Sequence, residues 1–101
     1  MDDLEKMKAG LWLHAIRPQI GEALRRAEEL VFELNRLAPS RREEREAIIR
    51  RLFGRIGRDF TIHSPFHCDF GEQISIGDHF VGNFNLTILD EAPVTIGDHV
   101  F

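Results

Sequence analysis

The sequence predicts an α+β fold in which a helical first half leads into the opening coils of a parallel β-helix. Three observations predict it. Apolar residues in the first half recur at helical spacing, the second half turns to short alternating runs punctuated by glycine, and a six-residue phrase in that second half recurs after 20 residues.

Charge divides the chain at the same place. All 13 Lys and Arg lie in residues 1–58 against 10 Asp and Glu, a net of +3. Residues 59–101 contain no Lys or Arg, 7 Asp and Glu and 4 of the 5 His, a net of −7 without the histidines. The predicted organisation is therefore a helical unit over 1–58 and the start of a repeat unit over 59–101. With 43% hydrophobic and 30% charged residues, the composition is that of a globular protein. No apolar run reaches the length of a membrane span, and Met1–Lys8 has no signal-peptide core, so no membrane partner is expected. The single Cys68 fits a reducing, cytoplasmic setting.

The elements follow in order. Met1–Leu13 predicts a short helix with Leu4, Met7 and Leu11 on one face. Pro18 suits the first turn of the next helix. From Ile20, the positions Leu24, Ala27, Val31 and Leu34 form an amphipathic stripe that ends at Asn35 and Pro39. Ser40 to Glu43 reads as a capping box for a third helix. Its predicted inner face is Ala47, Ile48, Leu52 and Phe53, and it stops near Gly54 or Gly57. The second and third helices should form an antiparallel hairpin. Short strands are predicted over 60–62, 74–76, 86–89 and 94–96.

Ile74-Ser75-Ile76-Gly77-Asp78-His79 returns as Val94-Thr95-Ile96-Gly97-Asp98-His99. An aliphatic pair followed by Gly-Asp suits a strand that turns a corner, with the aliphatics inward and glycine giving the turn its freedom. Stacked copies of such a unit build a parallel β-helix, so Ile76 should lie over Ile96 in one apolar column. Asp78 and Asp98 read as turn residues.

Pro65-Phe66-His67-Cys68-Asp69-Phe70-Gly71, Ile74-x-Ile76-Gly77-Asp78 and Gly82-Asn83-Phe84-Asn85-Leu86-Thr87-Ile88-Leu89-Asp90 together resemble the maltose and galactoside O-acetyltransferase family. Lys6-Met7-x-Ala9-Gly10 is similar to the opening of that family's helical segment. The resemblance implies that the β-helix is left-handed, although crossovers are in general right-handed. It also implies a homotrimer, with acetyl-CoA as co-substrate and a sugar as acceptor meeting between subunits. The family's catalytic His is expected about one coil after Phe101, and the CoA-binding coils beyond it, so no residue here is assigned as the base and residues 1–101 alone are expected to be inactive. Asp69, Asn83 and Glu91 fall where the family contacts its acceptor, and carboxylate and amide groups suit hydroxyls. The chain departs from the family where His14 and Ala15 replace an acidic neighbourhood, and Asp90 offers an alternative to Glu91. The rival function is a non-catalytic assembly module, or the remnant of a truncated gene.

Other residues receive blander readings. His63, His67, His79 and His99 invite zinc, but His79 and His99 occupy equivalent corner positions, so no metal is expected. Cys68 reads as a semi-buried thiol and Trp12 as a packing anchor. The arginines of 36–58 are interrupted by Glu43, Glu44 and Glu46, which reads as a solvated helix face rather than a nucleic-acid surface.

Overall fold

The computed structural model describes residues 18–101. The predicted first helix, Trp12 and the His14–Ala15 departure lie outside the described residues. Two helices, α1 (Pro18–Arg36) and α2 (Arg42–Leu52), precede seven short strands. These are β1 (Arg55–Ile56), β2 (Thr61–Ile62), β3 (Phe66–Cys68), β4 (Ile74–Ile76), β5 (Val81–Gly82), β6 (Leu86–Ile88) and β7 (Val94–Ile96).

Every strand pairing is parallel, and the strands form three separate faces: β1-β4-β7, β2-β5 and β3-β6. Partners are 20 residues apart, as in Ile56↔Ile76, Ile76↔Ile96, Ile62↔Gly82 and Phe66↔Leu86. Each turn of chain thus crosses all three faces and lies on the next. The predicted column of Ile74, Ile76, Val94 and Ile96 is present, with Ile74↔Val94 and Ile76↔Ile96 in register. The stacked rings of His79 and His99, with centroids 4.8 Å apart, report the strand spacing from outside. β1, β3 and β5 are not among the predicted strands.

A third copy of the repeat lies in Ile56-Gly57-Arg58-Asp59-Phe60, above Ile76-Gly77-Asp78-His79-Phe80. At the corner, glycine supplies space rather than backbone freedom. The positive φ falls two residues later, at Asp59 (55°), His79 (59°) and His99 (57°). A Cβ on Gly57 or Gly77 would overlap the carboxylate of Asp78 or Asp98, respectively. Those carboxylates bridge coils: Asp98 Oδ1 accepts from the Asp78 N–H at 2.7 Å, and Asp78 Oδ1 from the Arg58 N–H at 3.0 Å. That accepted N–H is the main reason the Asp78 carboxyl is held below its ordinary pKa.

The helices seal the first coil. α1 buries Ala27, Leu30 and Leu34, and α2 buries Ile48, Ile49 and Leu52, against Phe53, Ile56, Phe60, Ile62, Phe66 and Ile74. Each Leu, Ile or Phe side chain so buried contributes about 1.5–3 kcal/mol. Parallel coils leave the backbone edge of the first coil unpaired, and each face receives one polar side chain from the hairpin. Arg50 donates to the Ile56 and Gly57 carbonyls, both at 3.1 Å, and lies over the Phe60 ring. Arg45, itself buried, donates to the Ile62 and Leu34 carbonyls at 2.9 Å. Asn35 makes a two-way clamp on Phe66, donating to its carbonyl and accepting from its N–H at 2.9 Å.

Several helix expectations need correction. Ser40 is not an N-cap: the Arg41 N–H bonds the Ala38 carbonyl, which locks Ser40 inside a turn, and the cap position falls to Arg41 with no side-chain cap. Arg41 pairs instead with Glu44. Ala47 is exposed, and the inner face of α2 is Arg45, Ile48, Ile49 and Leu52. The arginines are not a uniformly solvated face, since Arg45 and Arg50 terminate strands.

Candidate functional site

The face β3-β6 carries the predicted acceptor residues at its two ends. Along β3, Phe66 is buried and His67 exposed; along β6, Thr87 is exposed between the partly buried Leu86 and Ile88. This is the period-two alternation of a strand with one face in the core. His67 and Thr87 are register partners and form the outer floor of the face.

The corner after these strands is built around Asp90, a fully buried carboxylate (0% exposed). Its Oδ1 accepts from the Asp69 and Phe70 N–H groups at 3.1 and 2.9 Å, and its Oδ2 accepts from the Gln73 N–H at 3.3 Å. The Gln73 side chain then donates to the Asp90 carbonyl at 2.8 Å. Both carboxylate oxygens are committed to the 69–73 turn, so Asp90 is not an alternative to Glu91 for an acceptor. It is the residue that holds Asp69 in place.

Asp69 differs from it. Among the described residues its Oδ2 is shielded from solvent and has no hydrogen-bond partner. Burial first, and then the negative charges of Glu91 and Asp90, push its carboxyl above the ordinary carboxylate pKa. The structure therefore brings Asp69 and Glu91 to one acidic corner. Asn83 lies at the opposite end of the face, between β5 and β6; it is exposed, and its Oδ1 accepts from the Phe84 N–H at 2.8 Å. A three-residue strand spans about 10 Å, so Asn83 and Asp69 of one chain stand at opposite ends of the face. His67 and Thr87, between them, are not among the sequence-predicted site residues, although their alternation with Phe66, Cys68, Leu86 and Ile88 is visible in the sequence.

Cys68 is a free, half-buried thiol, as the sequence predicts. Burial, then Asp90 and Asp69, push its pKa up to about 12. Among the described residues, no group of three or more His, Cys, Asp or Glu is arranged to hold a metal ion, and no helix is long and apolar enough to cross a membrane.

Residues 6–57 match the maltose acetyltransferase hexapeptide capping motif. The chain belongs to the maltose and galactoside O-acetyltransferase family. Within that family it is similar to the galactoside O-acetyltransferase of Escherichia coli K12, with 36% identity over 96 residues, covering 95% of this chain and 47% of the relative. Nodulation protein L of Rhizobium meliloti is 42% identical over 94 residues, covering 93% of this chain and 51% of the relative. A hexapeptide-repeat acetyltransferase from Vibrio cholerae, solved with acetyl coenzyme A, superposes with a TM-score of 0.79 at 41% identity, covering 84% of this chain and 46% of that one. The chain spans about half the length of the curated relatives it matches.

Proposed function

We propose that the protein carrying this chain transfers an acetyl group from acetyl-CoA to a sugar hydroxyl, and that this chain supplies the acceptor side. In this reading the coils wind left-handed, as in the family, and a homotrimer in the cytoplasm places the acceptor and acetyl-CoA between subunits. The observation that carries the proposal is the corner at Asp69: a shielded carboxylate oxygen without a partner among the described residues, on a turn fixed by the three N–H groups that donate to Asp90, in a chain of this family.

The chemistry follows from the groups. The sugar hydroxyl attacks the thioester carbonyl, its proton passes to a general base, and the tetrahedral intermediate expels the CoA thiolate, which is then protonated. Resemblance puts that base one coil after Phe101, and none of His63, His67, His79 or His99 is assigned the role. Asp69 and Glu91 accept hydrogen bonds from acceptor hydroxyls, and the exposed Asn83 amide donates to a ring or glycosidic oxygen.

The test is acetyl-CoA-dependent acetylation of a panel of glucose, maltose, galactosides and glucosamine by the whole protein. Asn83→Ala should lower kcat/KM for the sugar about tenfold, the loss of one hydrogen bond of about 1.5 kcal/mol, with KM for acetyl-CoA little changed. Absence of acetylation across the panel would overturn the proposal, and unchanged sugar kinetics would assign Asn83 to the fold. A polypeptide of residues 1–101 alone should show no turnover; turnover near that of the whole protein would make one of the present histidines catalytic.

A further inference from the structure

Beside the Asn83 corner lies an open cleft of about 560 Å³ between the N-terminal half of α2 and the outer side of β2. It lies within the range of about 300–1,000 Å³ typical of small-molecule sites. It is distinct from the β3-β6 face, and nothing in the acceptor chemistry above uses it.

Three features describe what it suits. The first is a flat wall: the rings of His63 and Phe84 stack with centroids 4.5 Å apart and an interplanar angle of 24°, and both line the cleft. Phe84 is 63% exposed, so its ring is open to a ligand lying in the cleft. The second is an orphan hydroxyl: Ser64 lines the cleft, and its Oγ, shielded behind that wall, has no hydrogen-bond partner among the described residues. The third is charge balance. Arg42 faces the cleft with Glu46 and Asp59, while the Arg45 guanidinium is already committed to the Ile62 and Leu34 carbonyls. Among the described residues, an anionic ligand would meet two carboxylates and one available cation, and a cationic ligand would meet Arg42. A neutral ligand rich in hydroxyls, with an apolar face to lay on the rings, satisfies all of them.

We infer that this cleft is a subsite for the remote rings of an oligosaccharide acceptor, making the substrate an oligosaccharide rather than a free monosaccharide. The inference rests on the proposed sugar acetylation and specifies its acceptor. Continuity supports it: Asn83, the acceptor contact, is joined to Phe84 of the cleft by chain and by its 2.8 Å hydrogen bond. A sugar chain whose reacting ring lies on the β3-β6 face passes the Asn83–Phe84 corner directly onto the His63–Phe84 wall.

Binding is tested apart from activity. The whole protein, labelled with ¹⁵N, is titrated with maltotriose, cellotriose and glucose at millimolar concentration and followed by TROSY spectra. At least one trisaccharide should shift the amides of Thr61, His63, Ser64 and Phe84 saturably, and glucose should not. Neither trisaccharide moving these amides overturns the inference, whatever the fate of the acetylation assay. In kinetics, the trisaccharide should exceed glucose in kcat/KM, and Phe84→Ala should cut that advantage about fivefold or more. Equal use of glucose and both trisaccharides would overturn the inference while leaving sugar acetylation standing.

Discussion

Removing the Asp90 carboxylate tests the construction of the acceptor corner. In Asp90→Ala the N–H groups of Asp69, Phe70 and Gln73 lose their acceptor at a site with 0% exposure. Each buried N–H left unpaired costs about 1–3 kcal/mol, and water entering the vacated space recovers part of that. A loss of about 3–5 kcal/mol is expected, a large share of the roughly 5–15 kcal/mol that holds a domain folded. Asp90→Asn is more discriminating. Its remaining oxygen still serves Asp69 and Phe70, while its NH₂ meets the Gln73 N–H donor to donor, so the expected loss is about 1–3 kcal/mol. Urea denaturation followed by circular dichroism gives the two losses, and amide hydrogen exchange gives their location. In the Asn variant exchange should quicken at Gln73 and much less at Asp69 and Phe70. An Ala variant within about 1 kcal/mol of the parent, or an Asn variant that exposes all three amides equally, would refute the reasoning.

Further outcomes follow from the same geometry. Gly77→Ala should cost about 1–3 kcal/mol by overpacking, less when Asp98→Ala removes the carboxylate it strikes; equal costs in the single and double variants on urea denaturation would deny the contact. Cys68 should react with iodoacetamide at pH 8 two to three orders of magnitude more slowly in the folded than in the unfolded protein; equal rates would contradict its raised pKa. For Asp69 the folded pKa lies above the unfolded one, so the native state holds the extra proton between them and stability falls as pH rises through that window. Asp69→Asn should therefore raise Tm at pH 7, with the gain vanishing once the pH is below the unfolded carboxylate pKa; a lower Tm at pH 7 would mean that Asp69 has a stabilising partner.

The coil stack was legible because the repeat writes its packing rules twice in clear form, at Ile74–His79 and Val94–His99. The copy at Ile56–Phe60 was harder to see for a physical reason. Asp78 and Asp98 each reach back to the N–H of the preceding coil, and the first coil has no predecessor, so nothing requires Asp at position 58 and an Arg stands there. The two-residue strands β1 and β5 are too short to show alternation. In sequence Arg45, Arg50 and Asn35 look like surface or helix-end residues, because their partners are carbonyls of strands up to 31 residues away, which no local pattern encodes. At the site, the resemblance supplied Asp69, Asn83 and Glu91. The structural role of Asp90 depends on a turn 17 to 21 residues earlier and emerges only when the coils are stacked.

The seal formed by Asn35, Arg45 and Arg50 also bears on the order of synthesis. The ribosome delivers the helical hairpin before the coils it covers. A finished first coil then offers an aligned edge of donors and acceptors to each coil that emerges, and every new pairing reaches back only about 20 residues. Parallel β-structure is ordinarily slow to form because its partners are distant in sequence. Here the distance is constant and short, so the chain can be laid down coil by coil in the direction in which it is made, with each unpaired edge exposed only until the next turn of chain covers it.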